Sequence, residues 1–166
     1  MDFRSREYPL PPFLQPQGPP FARAMLRFAR TVPITDDNGV SWLATHVANT
    51  WGMDKLSYAQ RVEWVEENEK LIRGVASDPY RHMEWTDADN PWHFLQAAIE
   101  WSNFLDHGMG YPSNLPISQD ATTQGLQIYA KLLLDPVAGL ATNVLPRDVP
   151  GDVYGEVAKI VNEKLK

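Results

Sequence analysis

Residues 115–127 read Leu-Pro-Ile-Ser-Gln-Asp-Ala-Thr-Thr-Gln-Gly-Leu-Gln. The first five residues form a short, proline-bounded stretch that is typical of the end of a β-strand. A helix is predicted over residues 124–134, because apolar residues share one of its faces: Leu126, Ala130 and Leu133. Asp120 therefore lies between a strand and a helix, where rigid elements can direct its carboxylate at a ligand.

The chemistry of that position depends on what surrounds Asp120. Mg²⁺ prefers oxygen ligands and uses few protein carboxylates, so a single aspartate in such a turn can contribute to a magnesium site. Two-metal phosphoryl transfer needs at least one further carboxylate, and spacing alone indicates none. Pattern alone therefore favours a turn or helix-capping role for Asp120 over a metal ligand.

The chain before this stretch is predicted to be mostly helical. Residues 7–20 are rich in proline and are expected to be extended and irregular. A helix is predicted over residues 21–30, with Phe21, Met25 and Phe28 on one face. Further helices are predicted from about 39 to 51 and from Ser57 to about Val75, the latter with four residues facing inward: Tyr58, Val62, Val65 and Ile72. Asn90-Pro91 is a helix-start signal.

The end of the chain reads as a loop followed by one helix. Residues 143–151 contain Pro146 and Pro150 and are predicted to form a loop. A helix over about 151–165 is expected to bury an apolar stripe: Val153, Val157, Ile160 and Val161.

Charge is unevenly distributed along the 166 residues, which carry a net charge of −6. Residues 1–30 hold five arginines against Asp2 and Glu7, whereas residues 31–110 are strongly acidic. The net charge excludes a protein that simply coats nucleic acid, but a basic opening segment is compatible with local contact to a polyanion. The acidic middle is best read as a solvated helical surface.

Arginines in the opening segment are candidate phosphate ligands. Arg4 and Arg6 are two residues apart and would lie on one side of an extended segment, and arginine suits bidentate phosphate contacts. Arg23 and Arg27 share a face of the predicted helix and could extend that track. Pattern alone nevertheless favours solvated surface arginines in both cases.

Several classes of protein and site are excluded. The sequence has no apolar run long enough for a membrane span, no secretory signal and no cysteine, so no membrane association, disulfide or thiolate metal site is expected. The histidines lack metal-site spacing and are expected to be structural: His46, His82, His93 and His107. A cytoplasmic protein is predicted.

Four separated stretches resemble single-subunit RNA polymerases of the bacteriophage and mitochondrial type. They are residues 2–6 (Asp-Phe-Arg-Ser-Arg), residues 42–49 (Trp-Leu-Ala-Thr-His-Val-Ala-Asn), residues 115–120 with 125–127, which are similar to polymerase motif A, and residues 144–146 with 152–154. They run in the family's order along nearly the whole chain.

The resemblance implies an α+β, predominantly α-helical fold that is part of a right-hand polymerase. Residues 1–30 would begin the palm, 31–110 would be a helical palm insertion, and 111–137 would hold the motif A strand and helix. Residues 138–166 would start the fingers. The chain would then be a fragment or split piece, since it begins in one motif and ends in a fingers helix. It would be inactive without the rest of the polymerase.

The resemblance also implies site residues and partners. Asp120 would be one of two catalytic aspartates that bind Mg²⁺, with the backbone carbonyl of Ala121 as a neighbouring ligand. Arg4 and Arg6 would hold the DNA template and nascent RNA. The reaction would add a ribonucleoside triphosphate to an RNA 3′ end, with the remaining polymerase segments or chains as partners. The compartment would be the bacterial cytoplasm for a phage and the mitochondrion for an organelle.

Three positions depart from the family pattern. Ser5 and Ala121 replace glycines, and Ile128 replaces a histidine that follows Gly-x-Gln. Because Cβ atoms restrict the backbone and Ile128 removes a polar group near the site, a second hypothesis stays open. It is a non-catalytic protein, derived from the same family, that binds a polymerase or a nucleic acid.

Overall fold

The computed structural model describes residues 3, 5, 7–118, 123–147 and 150–165. They divide into two compact units. The first consists of the chain up to Asp54 together with Tyr58–Ser118, and the second consists of Lys55–Ser57 together with the chain from residue 119 onward. The expected α+β, predominantly helical class is confirmed.

The first unit is a helical module with one small sheet. Its helices are α1 (Pro20–Ala24), α2 (Asp37–Trp51), α3 (Tyr58–Glu67), α4 (Glu69–Ser77), a 3₁₀ helix (Met83–Asp87) and α5 (Pro91–His107). Strands β1 (Val32–Pro33) and β2 (Pro112–Ser113) pair antiparallel, with Val32 opposite Ser113.

Helix α5 lies at the centre of this unit and packs against α1, α2, α4 and the 3₁₀ helix. Phe94 is fully buried, and its ring meets Trp51 edge-on with centroids 4.8 Å apart. Trp64 packs on the other side of Trp51 at 5.6 Å. Each large side chain buried in this way contributes roughly 1.5–3 kcal/mol to folding.

Helix α2 begins and ends where its sequence indicates. The Asp36 side chain accepts a hydrogen bond from the Gly39 backbone N–H at 2.7 Å, which satisfies one of the free donors of the first turn. Gly52 ends the helix with φ 121°, a conformation that favours glycine. The predicted helix at 39–51 is thereby confirmed.

Helix α1 is much shorter than the predicted helix at 21–30. After Ala24 the chain leaves the helix, and the Phe28 N–H donates to the Asn114 carbonyl at 3.0 Å. Met25 and Phe28 are exposed instead of sharing a buried face. Pairing with a distant segment has overridden the local helical pattern.

The helix predicted from Ser57 to Val75 is two helices, α3 and α4, separated at Asn68. The Asn68 backbone is non-helical, and its side-chain amide donates to the Trp64 carbonyl at 2.7 Å. Asparagine side chains compete with helical hydrogen bonds in this way. Val65 and Ile72 are buried as predicted, whereas Tyr58 is exposed.

The strand predicted at 115–119 lies earlier in the chain. Strand β2 covers Pro112–Ser113, and residues 114–118 are not in a strand. Gln119 lies outside the described residues. Leu115 is nonetheless buried in the core of the first unit, which explains why the stretch reads as apolar and extended.

The second unit contains α6 (Gln124–Leu132), α7 (Pro136–Ala141) and α8 (Val153–Lys164). Gln127 of α6 donates to the Thr142 carbonyl after α7 at 2.7 Å. Helix α7 was not predicted, although Asp135 accepts hydrogen bonds from the Val137 and Ala138 N–H groups and so caps it.

Helices α6 and α8 bury less than their patterns predict. In α6, Ala130 is buried but Leu126 is half-exposed, and Leu133 just beyond it is exposed. No described residue of α8 is buried, so the expected burial of its apolar stripe is wrong for this chain. Helical periodicity shows that a helix has an apolar face, but not where the covering surface lies.

Candidate active site

The residues predicted to carry the chemistry lie outside the described part of the chain. These are Asp120, Ala121, Arg4 and Arg6. The segments that lead into and out of the Asp120 turn are described, and so is Ser5 between the two arginines. The candidate site is therefore built from these flanking segments.

The segment that leads to Asp120 is fixed by a buried carboxylate. Glu100 of α5 is 1% exposed, and the Ser113 hydroxyl of β2 donates to its Oε1 at 2.6 Å. Arg27 donates to the other oxygen, Oε2, also at 2.6 Å. A buried carboxylate needs such partners, because an unpaired charge in the protein interior is strongly unfavourable.

The Arg27 guanidinium is therefore engaged in hydrogen bonds inside the first unit. It follows α1 and is not part of it, and it also donates to the Asn114 side-chain oxygen at 3.0 Å. The expectation that Arg23 and Arg27 share a helix face is wrong. Arg27 instead joins the basic opening segment to the strand before Asp120.

The segment that leaves the Asp120 turn begins at Thr123. Its backbone is left-handed, with φ 56° and ψ 40°, which is unusual for a β-branched residue. Its buried hydroxyl has no hydrogen-bond partner among the described residues. Helix α6 starts immediately afterwards, so a strained residue lies three positions after Asp120.

An open groove runs along α6 in the second unit. It has a volume of about 410 Å³ and five lining residues: Gln124, Gln127, Ile128, Lys131 and Val144. Ile128, which the resemblance places where the family has a histidine, is 59% exposed. Its side chain therefore presents an apolar surface, and the core does not depend on it.

Ser5 has a positive φ of 58°. This left-handed conformation suits glycine, which has no Cβ to clash with the following carbonyl. Ser5 thus stands where the resemblance expects a glycine, and its backbone adopts the conformation that glycine favours.

Perturbed titratable groups lie in the core of the first unit. Burial, and to a smaller extent the neighbouring His93, lower the pKa of His46 to about 4. Burial, followed by the charge of Arg23, lowers the pKa of His93. The pKa of Tyr111 is raised, chiefly by burial and then by the charge of Glu100. The buried side-chain atoms that lack hydrogen-bond partners within the part of the chain that the structure describes include His46 Nε2, His93 Nδ1 and Asn49 Oδ1.

Within the described ranges, no three histidine or acidic side chains are grouped as a metal site would require. Over the same ranges, no helix is both long and apolar enough to cross a membrane.

Sequence reasoning missed the Glu100 network. Arg27 and Glu100 are 73 residues apart, so no local spacing relates them. One indication was present. Apart from His93, Glu100 is the only ionisable residue between Pro91 and Leu105, and the rest of that stretch is apolar or neutral. A lone carboxylate in such a helix is a candidate for a buried ion pair.

A family model described as DNA-dependent RNA polymerase matches residues 33–166, which is most of the chain. The chain belongs to this polymerase family, in its single-subunit phage and mitochondrial form. The expected resemblance is thereby confirmed.

Individual polymerases of the family align with almost the whole chain. The chain is 37% identical over 166 residues to the DNA-directed RNA polymerase of Enterobacteria phage T3 and to the T7 RNA polymerase of Escherichia phage T7, covering 100% of this chain and 19% of each relative. It is 38% identical over 162 residues to the human mitochondrial DNA-directed RNA polymerase, covering 95% of this chain and 13% of that relative. The chain thus spans about a fifth of the phage polymerases that it matches.

Proposed function

We propose that this chain forms the central palm segment of a DNA-directed RNA polymerase. Together with the other segments of such an enzyme, it would add ribonucleotides to an RNA 3′ end on a DNA template and release pyrophosphate. The supporting observation is the 37% identity to phage polymerases across the whole chain. Because the chain spans only a fifth of those relatives, we expect it to be inactive alone.

The proposed metal ligands are Asp120 and the backbone carbonyl of Ala121. A carboxylate and a carbonyl are both hard oxygen donors, and this donor set fits Mg²⁺. When bound, the ions would activate the attacking oxygen and stabilise the leaving one. One carboxylate cannot hold two ions, so a second aspartate from another polymerase segment is required. Asp120 itself would hold its ion at the end of the segment that Glu100 fixes.

Arg4 and Arg6 are proposed to bind the template strand and the nascent RNA. Guanidinium groups pair with phosphate oxygens through two parallel hydrogen bonds, so they fix the position of a strand as well as its charge. The compartment follows from the host: bacterial cytoplasm for a phage enzyme, mitochondrion for an organellar one.

A second candidate is a non-catalytic relative that binds a polymerase or a nucleic acid. Two observations favour it: Ser5 carries a positive φ where the family has glycine, and the exposed Ile128 replaces a histidine. In this reading the helical module is retained for binding, and Asp120 is dispensable.

Primer extension distinguishes the two candidates. The chain is mixed with the flanking segments of a phage polymerase, an RNA primer on a DNA template, ribonucleotides and Mg²⁺. Extension that needs this chain and is abolished in Asp120→Asn supports the polymerase. The matched control is Asp106→Asn, which removes an exposed carboxylate of α5 that pairs with Arg73. A stable complex that extends no primer supports the non-catalytic relative.

A further inference from the structure

Glu100 links three parts of the first unit that are distant in sequence. Its carboxylate belongs to α5, its Oε2 accepts from Arg27 in the segment after α1, and its Oε1 accepts from Ser113 in β2. Both carboxylate oxygens are thus engaged, and the group is 1% exposed.

Backbone hydrogen bonds connect the same two segments. The Phe28 N–H donates to the Asn114 carbonyl, and the Asn114 side-chain amide donates back to the Phe28 carbonyl, both at 3.0 Å. The Leu115 N–H donates to the Ser113 hydroxyl at 3.3 Å. The hydroxyl that binds Glu100 therefore also holds the backbone two residues further toward Asp120.

Stability alone is a weak explanation for this arrangement. A buried ion pair loses the hydration of both charges, and a well-packed apolar pair of similar volume is often as stable. Charged groups add geometric specificity, because their hydrogen bonds are satisfied in only one relative placement of the segments. Here the segments so placed continue, in opposite chain directions, toward Arg4 and Arg6 and toward Asp120.

We propose that Glu100 is a positioning residue for the polymerase reaction: it clamps strand β2, seven residues before Asp120, against the segment that follows Arg4 and Arg6. This inference rests on the proposed function. In this role Glu100 acts through its hydrogen bonds with Ser113 and Arg27. Its loss should misplace the catalytic carboxylate without unfolding the helical module.

Hydrogen exchange on the full chain is the first test. Glu100→Gln keeps the shape of the side chain but removes its charge. Amide exchange at Phe28 and Leu115 should rise about tenfold, because local opening frees the segments that the clamp holds. Exchange at Ile72 and Phe94, whose amides lie in α4 and α5, should be unchanged. Equal acceleration at all four amides, or none at Phe28 and Leu115, would overturn the clamp.

Kinetics of the reconstituted polymerase are the second test. Glu100→Gln should lower kcat at least about tenfold and change KM for the ribonucleotide less than about twofold, since the nucleotide still binds but the reacting groups are misplaced. Ser113→Thr keeps the hydroxyl and should restore most of the rate that Ser113→Ala loses. Glu69→Gln, which removes an exposed carboxylate paired with Arg73, is the matched control and should match the wild type.

The positioning role of Glu100 and the proposed polymerase function can be refuted separately. If the wild-type mixture extends primers and Glu100→Gln does so equally fast, the positioning role is wrong and the proposed function stands. If the wild-type mixture forms a complex but extends nothing, the proposed function is wrong and the positioning role falls with it. Partial rescue by Ser113→Thr sustains both.

Discussion

His46 illustrates how burial changes an ionisable side chain in this protein. Its folded pKa of about 4 lies below its ordinary value of 6.5, so the folded state binds fewer protons than the unfolded state between these values. Stability should therefore fall as the pH drops from 6.5 to 4, by about 3 kcal/mol in total. Imidazole titration by NMR would check the pKa, and urea unfolding at several pH values would check the slope.

A variant that lacks the His46 imidazole tests the same prediction directly. His46→Gln should flatten the loss of stability between pH 6.5 and 4. An ordinary titration of His46 near pH 6.5 would contradict the assignment.

Ser5 gives a second prediction at the residue scale. A left-handed conformation costs a non-glycine residue about 1–2 kcal/mol, and glycine avoids this cost. Glycine in turn loses about 0.5–1 kcal/mol of folding free energy, because its backbone is freer in the unfolded chain. Ser5→Gly should thus stabilise the protein by about 0.5–1 kcal/mol. Ser41→Gly, inside helix α2, should destabilise it by a similar amount. Urea midpoints of the two variants should move in opposite directions, and a shared direction would contradict the strain at Ser5.

At the scale of elements, the starts of two helices can be compared directly. Asp36 caps α2 with a hydrogen bond of 2.7 Å, whereas Asn90 precedes α5 without any side-chain cap bond. Asp36→Ala should therefore cost about 1 kcal/mol of unfolding free energy, and Asn90→Ala less than half of that. Thermal unfolding of both variants measures the difference. Equal losses of unfolding free energy would show that the capping hydrogen bond at Asp36 does not stabilise α2.

Elements were predictable from sequence where local chemistry decides them. Helix α2 was located from the turn signal at residues 36–39 and from Gly52, and α5 from Asn90-Pro91, because turn, glycine and proline signals act within a few residues. Helix α7 was missed although Asp135-Pro136 carries a similar signal, because six residues show too little periodicity. The break at Asn68 was missed because apolar spacing continues across it.

Features set by distant partners could not be read from local pattern. The short α1 and the pairing of β1 with β2 depend on contacts between residues near 30 and residues near 113. The ion pair of Arg27 with Glu100 spans 73 residues and leaves no periodic signature. For the candidate site, Asp120, Ala121, Arg4 and Arg6 came from resemblance to family motifs and stay predictions, as do the boundaries of the palm, its insertion and the fingers.

On the scale of the whole molecule, the exposure of apolar side chains is the dominant property of the second unit. Leu132 and Leu133 are 73% and 74% exposed, and Tyr154 of α8 is also 73% exposed. The apolar stripes expected to be buried in the helices near 124–134 and 151–165 are instead largely exposed. Surfaces of this kind usually mark contact with another chain or segment.

Self-association should follow from that surface. We expect the isolated chain to bind a hydrophobic dye and to form oligomers as its concentration rises, as measured by light scattering. The double variant Leu132→Gln with Leu133→Gln should reduce both effects. Leu10→Gln, which alters a 96% exposed leucine of the proline-rich segment, should reduce them far less. A monomer that binds no dye would contradict the prediction.

The aromatic cluster around Trp51 has a further consequence for how the molecule can be observed. All six tryptophans belong to the first unit, and residues 55–57 and 119–166 contain none. Tryptophan fluorescence therefore reports on the first unit alone. Its red shift on heating indicates unfolding of the helical module, independently of the second unit. Paired with far-ultraviolet circular dichroism, which counts helices in both units, it would reveal whether the two melt together or in succession.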